Sequence, residues 1–287
     1  MVPEYWHLLS LDAPTVAALW AWSIARALQL SLAANSLLLL FAGTWLLYVA
    51  DRILDGFHAD RARLHERHFF YLRHRTAALA AALPVAIVVA WLALAHMLPR
   101  ARGADLALFS LAAAYFALVH LRGRATERWF PKELLVALIA AAAIAVPAWS
   151  RLATPTALSC SILAAATLLF AAVCWLNCLA IERWEQDPGS HVPITDRTTR
   201  WGQRRLRPIS AAIALAASLA AAAFLCCNQF PAALLSLAAA ASAALLAALD
   251  QTQSQSKSRS PIRPSAFHLR IAADLALLTP VLLIILR

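Results

Sequence analysis

Apolar runs long enough to cross a bilayer recur along this chain and leave room for little else. A transmembrane helix needs about 20 predominantly apolar residues. Runs of that order fall at 13–30, 33–50, 76–98, 105–121, 133–150, 155–181, 209–227, 231–249 and 270–286. No water reaches the bilayer core, so each run must satisfy its backbone within itself, as a helix. A transmembrane β-barrel would read instead as short segments of alternating polarity. The expected fold is therefore all-α: a polytopic membrane protein with about nine transmembrane helices, forming a single domain over residues 1–287. Composition agrees, since 62% of the residues are hydrophobic and only 14% charged, against about 25% charged in a typical soluble domain. Residues 14–50 are one apolar tract, too long for one ordinary span. Its polar points Arg26, Gln29, Ser31 and Asn35 predict a hairpin near Gln29–Asn35.

The formal net charge is +10, a value that would suit nucleic acid were it not for where the charge sits. Most of the 25 Lys and Arg residues fall in four polar loops, about 51–75, 122–132, 183–208 and 250–269. The alternate loops hold only Arg100, Arg102 and Arg151, with Arg26 and Arg287 nearby. Such asymmetry follows the positive-inside rule. It predicts cytoplasmic basic loops, a cytoplasmic N-terminus, an outer C-terminus and a place in the inner (cytoplasmic) membrane, with no nucleic-acid partner. Glu4 and Asp12 stand where a basic signal region would be, so no cleavable signal is expected. The stretch Gln251–Ser260 reads as a polar linker, and no loop is long enough to fold as a separate soluble domain.

Cysteines and histidines contribute less. Cys174 and Cys178 share a helix face, and of the five cysteines the four within or at the ends of apolar runs read as small buried hydrophobes rather than metal ligands. His58, His65, His68 and His74 crowd the first loop. A di-iron site would need further histidine boxes elsewhere, so an amphipathic surface helix docked by Phe69, Phe70 and Tyr71 is the favoured reading.

The acids are more informative, because carboxylates at a membrane edge are costly to desolvate without a cation or partner. Asp51 and Asp55 follow the second run at a spacing of four, which puts both on one helix face. Together they could hold Mg²⁺, a hard cation that takes carboxylate and diphosphate oxygens. Alternatively Asp51 pairs with Arg52 as a helix-end ion pair. Asn177, Glu182, Glu185 and Asp187 close the sixth run just before Pro188-Gly189. By the charge pattern both clusters lie at the cytoplasmic edge, each followed by an arginine-rich loop. Facing acids with arginines above them would make a diphosphate–metal clamp.

On these residues the chain resembles the UbiA superfamily of intramembrane prenyltransferases. That family has nine transmembrane helices, a motif N-D-x-x-D-x-x-x-D ending the second and a further acidic motif ending the sixth. Leu47-Tyr48-Val49-Ala50-Asp51-Arg52-Ile53-Leu54-Asp55 is similar to the first, with Leu47 and Tyr48 where the family has Asn and Asp. Asn177 to Asp187 resembles the second, with Glu in place of Asp, and Thr195–Gly202 is faintly like the stretch that follows it. The resemblance implies metal ligation by Asp51, Asp55, Glu182, Glu185 and Asp187, with Asp51, Asp55 and Glu182 essential to catalysis. It implies diphosphate contacts from Lys132, Arg52, Arg61, Arg63 and Asn177, and Mg²⁺ as cofactor. The partners would be a prenyl diphosphate, a lipid-soluble acceptor and membrane lipid, and the reaction transfer of the prenyl group to an aromatic or other lipid-soluble acceptor. The altered first motif leaves open a family-fold protein that binds isoprenoid lipid without catalysis. A transporter is least favoured, since only six glycines are available to break helices at mid-membrane.

Overall fold

With its backbone obliged to bond within itself, each apolar run closes into a helix. The computed structural model describes residues 2–58, 66–122, 132–185, 197–259 and 266–285, and the regular elements among them are all helical. In chain order they are α1 (Val2–Leu8), α2 (Asp12–Ala27), α3 (Ala34–His58), α4 (Glu66–Arg73), α5 (Arg75–His96), α6 (Pro99–Arg122) and α7 (Lys132–Trp149). Then follow α8 (Ala157–Glu185), α9 (Arg197–Arg204), α10 (Leu206–Cys226), α11 (Phe230–Arg259), α12 (Ala266–Ala276), a 3₁₀ turn (Thr279–Val281) and α13 (Leu282–Ile285).

Six of these helices are long and apolar enough to cross a membrane: α3, α5, α7, α8, α10 and α11. The other three expected runs are not shown as spans among the described residues. The run at 13–30 becomes α2, of only 16 residues. That at 105–121 lies within α6, whose N-terminal part carries Arg100, Arg102 and Asp105. The last, 270–286, is interrupted after Ala276 and resumes through the Pro280 turn. Proline supplies no N–H to continue the ladder, and the groups freed by the break are taken up internally. Trp20 Nε1 donates to the Leu277 carbonyl at 2.9 Å, and the Thr279 hydroxyl donates to the Ala238 carbonyl at 2.7 Å. Two loop boundaries also move. The expected linker at 251–260 is helical as far as Arg259, because Gln253 is buried and Ser254 bonds the Asp250 carbonyl. The first basic loop contains α4, whose Tyr71 is buried with its hydroxyl donating to the Leu9 carbonyl at 3.1 Å.

Three helices end in the same way. Ser10, Gln29 and Asn228 have φ of 54°, 57° and 57°. After each, an N–H reaches back five residues: Leu11 to Trp6, Leu30 to Ala25 and Gln229 to Phe224. This is the Schellman closure, in which a left-handed residue just past the helix lets the chain reverse at once. The hairpin expected near Gln29–Asn35 is built on it, with α2 ending at Ala27 and α3 starting at Ala34.

Helices α2, α8 and α11 form the centre. Trp20 is fully buried against Phe170, at 5.0 Å between ring centroids, within a cluster that includes Ile24, Ile144, Val173 and Leu235. A second cluster gathers Leu176, Leu179, Trp184, Leu206, Leu246 and Leu269. Helices α10 and α11 make the most extensive pairing, their alanines allowing close approach. By contrast α5 packs on α3 and α4 and presents Leu79, Leu83, Ile87, Trp91 and Leu94 outward. So large an apolar face suits lipid, not water.

The described helix ends that border the basic loops share one end of the bundle. There the start of α7 meets α9, as Thr199 donates to Glu133 at 2.5 Å, and the end of α8 meets α12 and α11. At the opposite end the few cations have local partners. Arg102 donates to the Ala93 and Leu94 carbonyls that end α5, and Arg151 to Ser36 and the Pro147 carbonyl.

Candidate functional site at the basic end

Asp51 lies in the last turns of α3, 3.4 Å from Arg52, the helix-end ion pair weighed above as the alternative to metal binding. The Arg52 side chain is buried, its guanidinium 5.9 Å from the Tyr48 ring centroid. The Asp55 side chain, Arg61, Arg63 and Asp187 lie outside the described residues. Lys132 opens α7 and is exposed, while its neighbour Glu133 is held by Thr199. Glu182 is half-buried and has interaction partners. Glu185 accepts from Arg270 of α12 at 2.5 Å. Asn177, one of the few buried polar residues of α8, donates its amide N–H to Asp274 Oδ1 at 3.2 Å. The acids ending α8 thus engage α11 and α12, while α3 packs chiefly on α2, α4, α5 and α7. What joins the two expected clusters is α7, which packs on both α3 and α8.

The polar groups drawn together most closely are different ones. His7 closes α1, Asp12 opens α2 and Asp274 sits in α12. One ligand atom from each lies within 4.8 Å of the others, and this is the one such trio of His, Cys, Asp or Glu among the described residues. His7 Nδ1 is 2.7 Å from Asp12 Oδ2 and 3.5 Å from Asp274 Oδ2. His7 and Asp12 are buried, and Phe267 stands edge-on to the imidazole at 5.3 Å. A partly open hollow lined by Trp6, His7, Asp12, Val16, Ile271 and Asp274 leads to the trio.

The chain has no counterpart among protein-family models, curated proteins or solved structures: nothing matches it in any of the three.

The described residues do not assemble a Mg²⁺ site. Mg²⁺ demands oxygen ligands in near-octahedral array. Asp51 and Glu185 are each matched to an arginine, and the trio includes an imidazole nitrogen. No step is therefore derived through that ion. A second polar knot is structural. Asp250, 1% exposed, accepts from Trp184 Nε1 at 3.3 Å, with Arg183 Nε at 3.5 Å and Arg207 Nε at 3.4 Å. Sequence reasoning missed Asp250, Asp274 and His7. Asp274 did carry a signal, as the one acid inside the apolar run 270–286; an ionisable residue within a span marks function or a buried partner. His7 carried none, because it reaches Asp12 only across the turn after α1, and Asp274 and Phe267 come from the far end of the chain.

Proposed function

We propose that this chain is a membrane-embedded prenyltransferase of UbiA type, acting at the basic end of its bundle on a prenyl diphosphate and a lipid-soluble acceptor. The observation that supports the reading is that α7, which opens with Lys132, packs on both α3, which bears Asp51, and α8, which bears Asn177, Glu182 and Glu185. The two helices singled out for their acids thus share α7 as a neighbour. In such a site the prenyl carbon breaks its bond to the diphosphate oxygen, bonds to the acceptor, and the acceptor loses a proton. Lys132 and the loop arginines would hold the leaving diphosphate by charge, and the Tyr48 face would sit beside developing allylic charge.

A second reading has its own support. The Asp51–Arg52 and Glu185–Arg270 pairs leave those carboxylates already matched, as in a family-fold protein that binds isoprenoid lipid without catalysis. One experiment separates the two: binding of radiolabelled prenyl diphosphate to purified protein, with and without Mg²⁺, in wild type and Asp51→Asn/Asp55→Asn. Transfer predicts binding that needs both the metal and the carboxylates. Equal binding of the diphosphate and its prenyl alcohol, unchanged in the variant, supports the lipid-binding reading. No binding at any chain length removes both.

A further inference from the structure

We propose that His7, Asp12, Asp274 and Asn177 form a site for one divalent transition cation of the Zn²⁺ or Mn²⁺ class, which ties α1 to α2, α8 and α12. The inference does not rest on the prenyltransferase reading. Ligand atoms about 2.1 Å from a shared ion lie about 3.0–3.4 Å apart in octahedral or tetrahedral array. The two His7 contacts, 2.7 and 3.5 Å, straddle that range.

Three further observations point to an ion rather than a simple His–Asp pair. First, His7 is 2% exposed, yet neither ring nitrogen has a hydrogen-bond partner, so its close approach to Asp12 is not aligned as a hydrogen bond. Second, the buried Asn177 turns one amide atom to Asp274 while its Oδ1 has no hydrogen-bond partner, an acceptor one bond away from the trio. Third, donor atoms from two carboxylates and one imidazole converge from three helices to within 4.8 Å of one another, as ligands around a shared ion do. One imidazole nitrogen with carboxylate and amide oxygens suits a borderline cation better than Mg²⁺. The hollow beside Trp6 gives such an ion a way in.

The test uses the full chain, purified in detergent and stripped with a chelator. Zn²⁺, Mn²⁺ and Mg²⁺ are titrated while the unfolding midpoint and the number of ions bound per chain are followed. Wild type should bind one Zn²⁺ or Mn²⁺ with a rise in the midpoint, because an ion that binds only the folded state stabilises it. Equimolar Mg²⁺ should do neither. Asp274→Asn, nearly isosteric, and His7→Gln should each weaken binding at least tenfold and abolish the metal-induced rise. Comparing that rise, not the absolute midpoint, keeps the result readable if a variant folds less well. Failure of wild type to bind would overturn the proposal. So would equal affinity in wild type and both variants, which would locate the ion among other histidines or cysteines.

Discussion

Asp250 carries more of this protein's polar organisation than its position near a helix end suggests. Its carboxylate gathers the Trp184 indole and two arginines, joining α8, α10 and α11 at the basic end. It is also unequal to its partners, being buried while the Arg207 side chain is 51% exposed. Turning the carboxylate into an amide removes the buried charge that Arg183 and Arg207 face and leaves one acceptor oxygen where there were two, whereas removing Arg207 costs only a partly hydrated pair. Asp250→Asn should therefore lower stability on the order of 2–3 kcal/mol, and Arg207→Gln by less than about 1 kcal/mol. Thermal unfolding of the two variants in detergent checks this, and equal losses would refute the central role of the carboxylate. Asp51 teaches a similar lesson at the same scale. Its spacing to Asp55 suits a shared cation, but among the described residues it pairs with the adjacent Arg52.

At the scale of elements, the short helix α9 shows how one residue fixes a docking distance. A Cβ on Gly202 would lie 2.6 Å from Leu179 Cδ1, and Leu179 is fully buried in α8. Only a residue without a side chain allows α9 to lie this close, with Thr199 on Glu133 and the Gln203 carbonyl accepting from Arg183 at 2.9 Å. Gly202→Ala must displace Leu179 or lift α9, at a cost of about 1–3 kcal/mol. Leu179→Ala would make the space but leave a cavity of its own. If the contact is what matters, the double variant should be less unstable than the sum of the two single losses, as a double-mutant cycle would show. The break after α12 is a second case. The helix ends at Ala276 inside the bundle, where Trp20 takes up the freed Leu277 carbonyl and the Ala238 carbonyl accepts from the Thr279 hydroxyl.

For the whole molecule, charge asymmetry and packing together define two ends. The basic segments meet at one, where ion pairs join α8, α10, α11 and α12. The other has sparse charge and the tight α10–α11 turn. Cys160, Cys226 and Cys227 are exposed at that second end, whereas Cys174 and Cys178 are half-buried within α8. If the basic end faces the cytoplasm, a membrane-impermeant maleimide should label intact cells at the three exposed cysteines. Replacing all three with serine should abolish the labelling. Labelling confined to inverted vesicles would reverse the orientation.

Much of the architecture was legible in the chain itself, because a bilayer leaves an apolar run one way to satisfy its backbone. Helix, multiple spans and the Gln29 hairpin all follow from local composition. The run at 270–286 misled because hydropathy averages over Thr279 and Pro280, whose effect depends on partners in α2 and α11. The candidate site divides in the same way. Asp51 and Asn177 were visible as polar points at the edges of apolar runs, and Asp274 could have been read from its isolation in one. That Asn177 meets Asp274, and that Asp274 stands beside His7 and Asp12, was decided only by tertiary packing. Sequence determines where desolvation makes a polar group need a partner; the folded bundle determines which partner comes within reach.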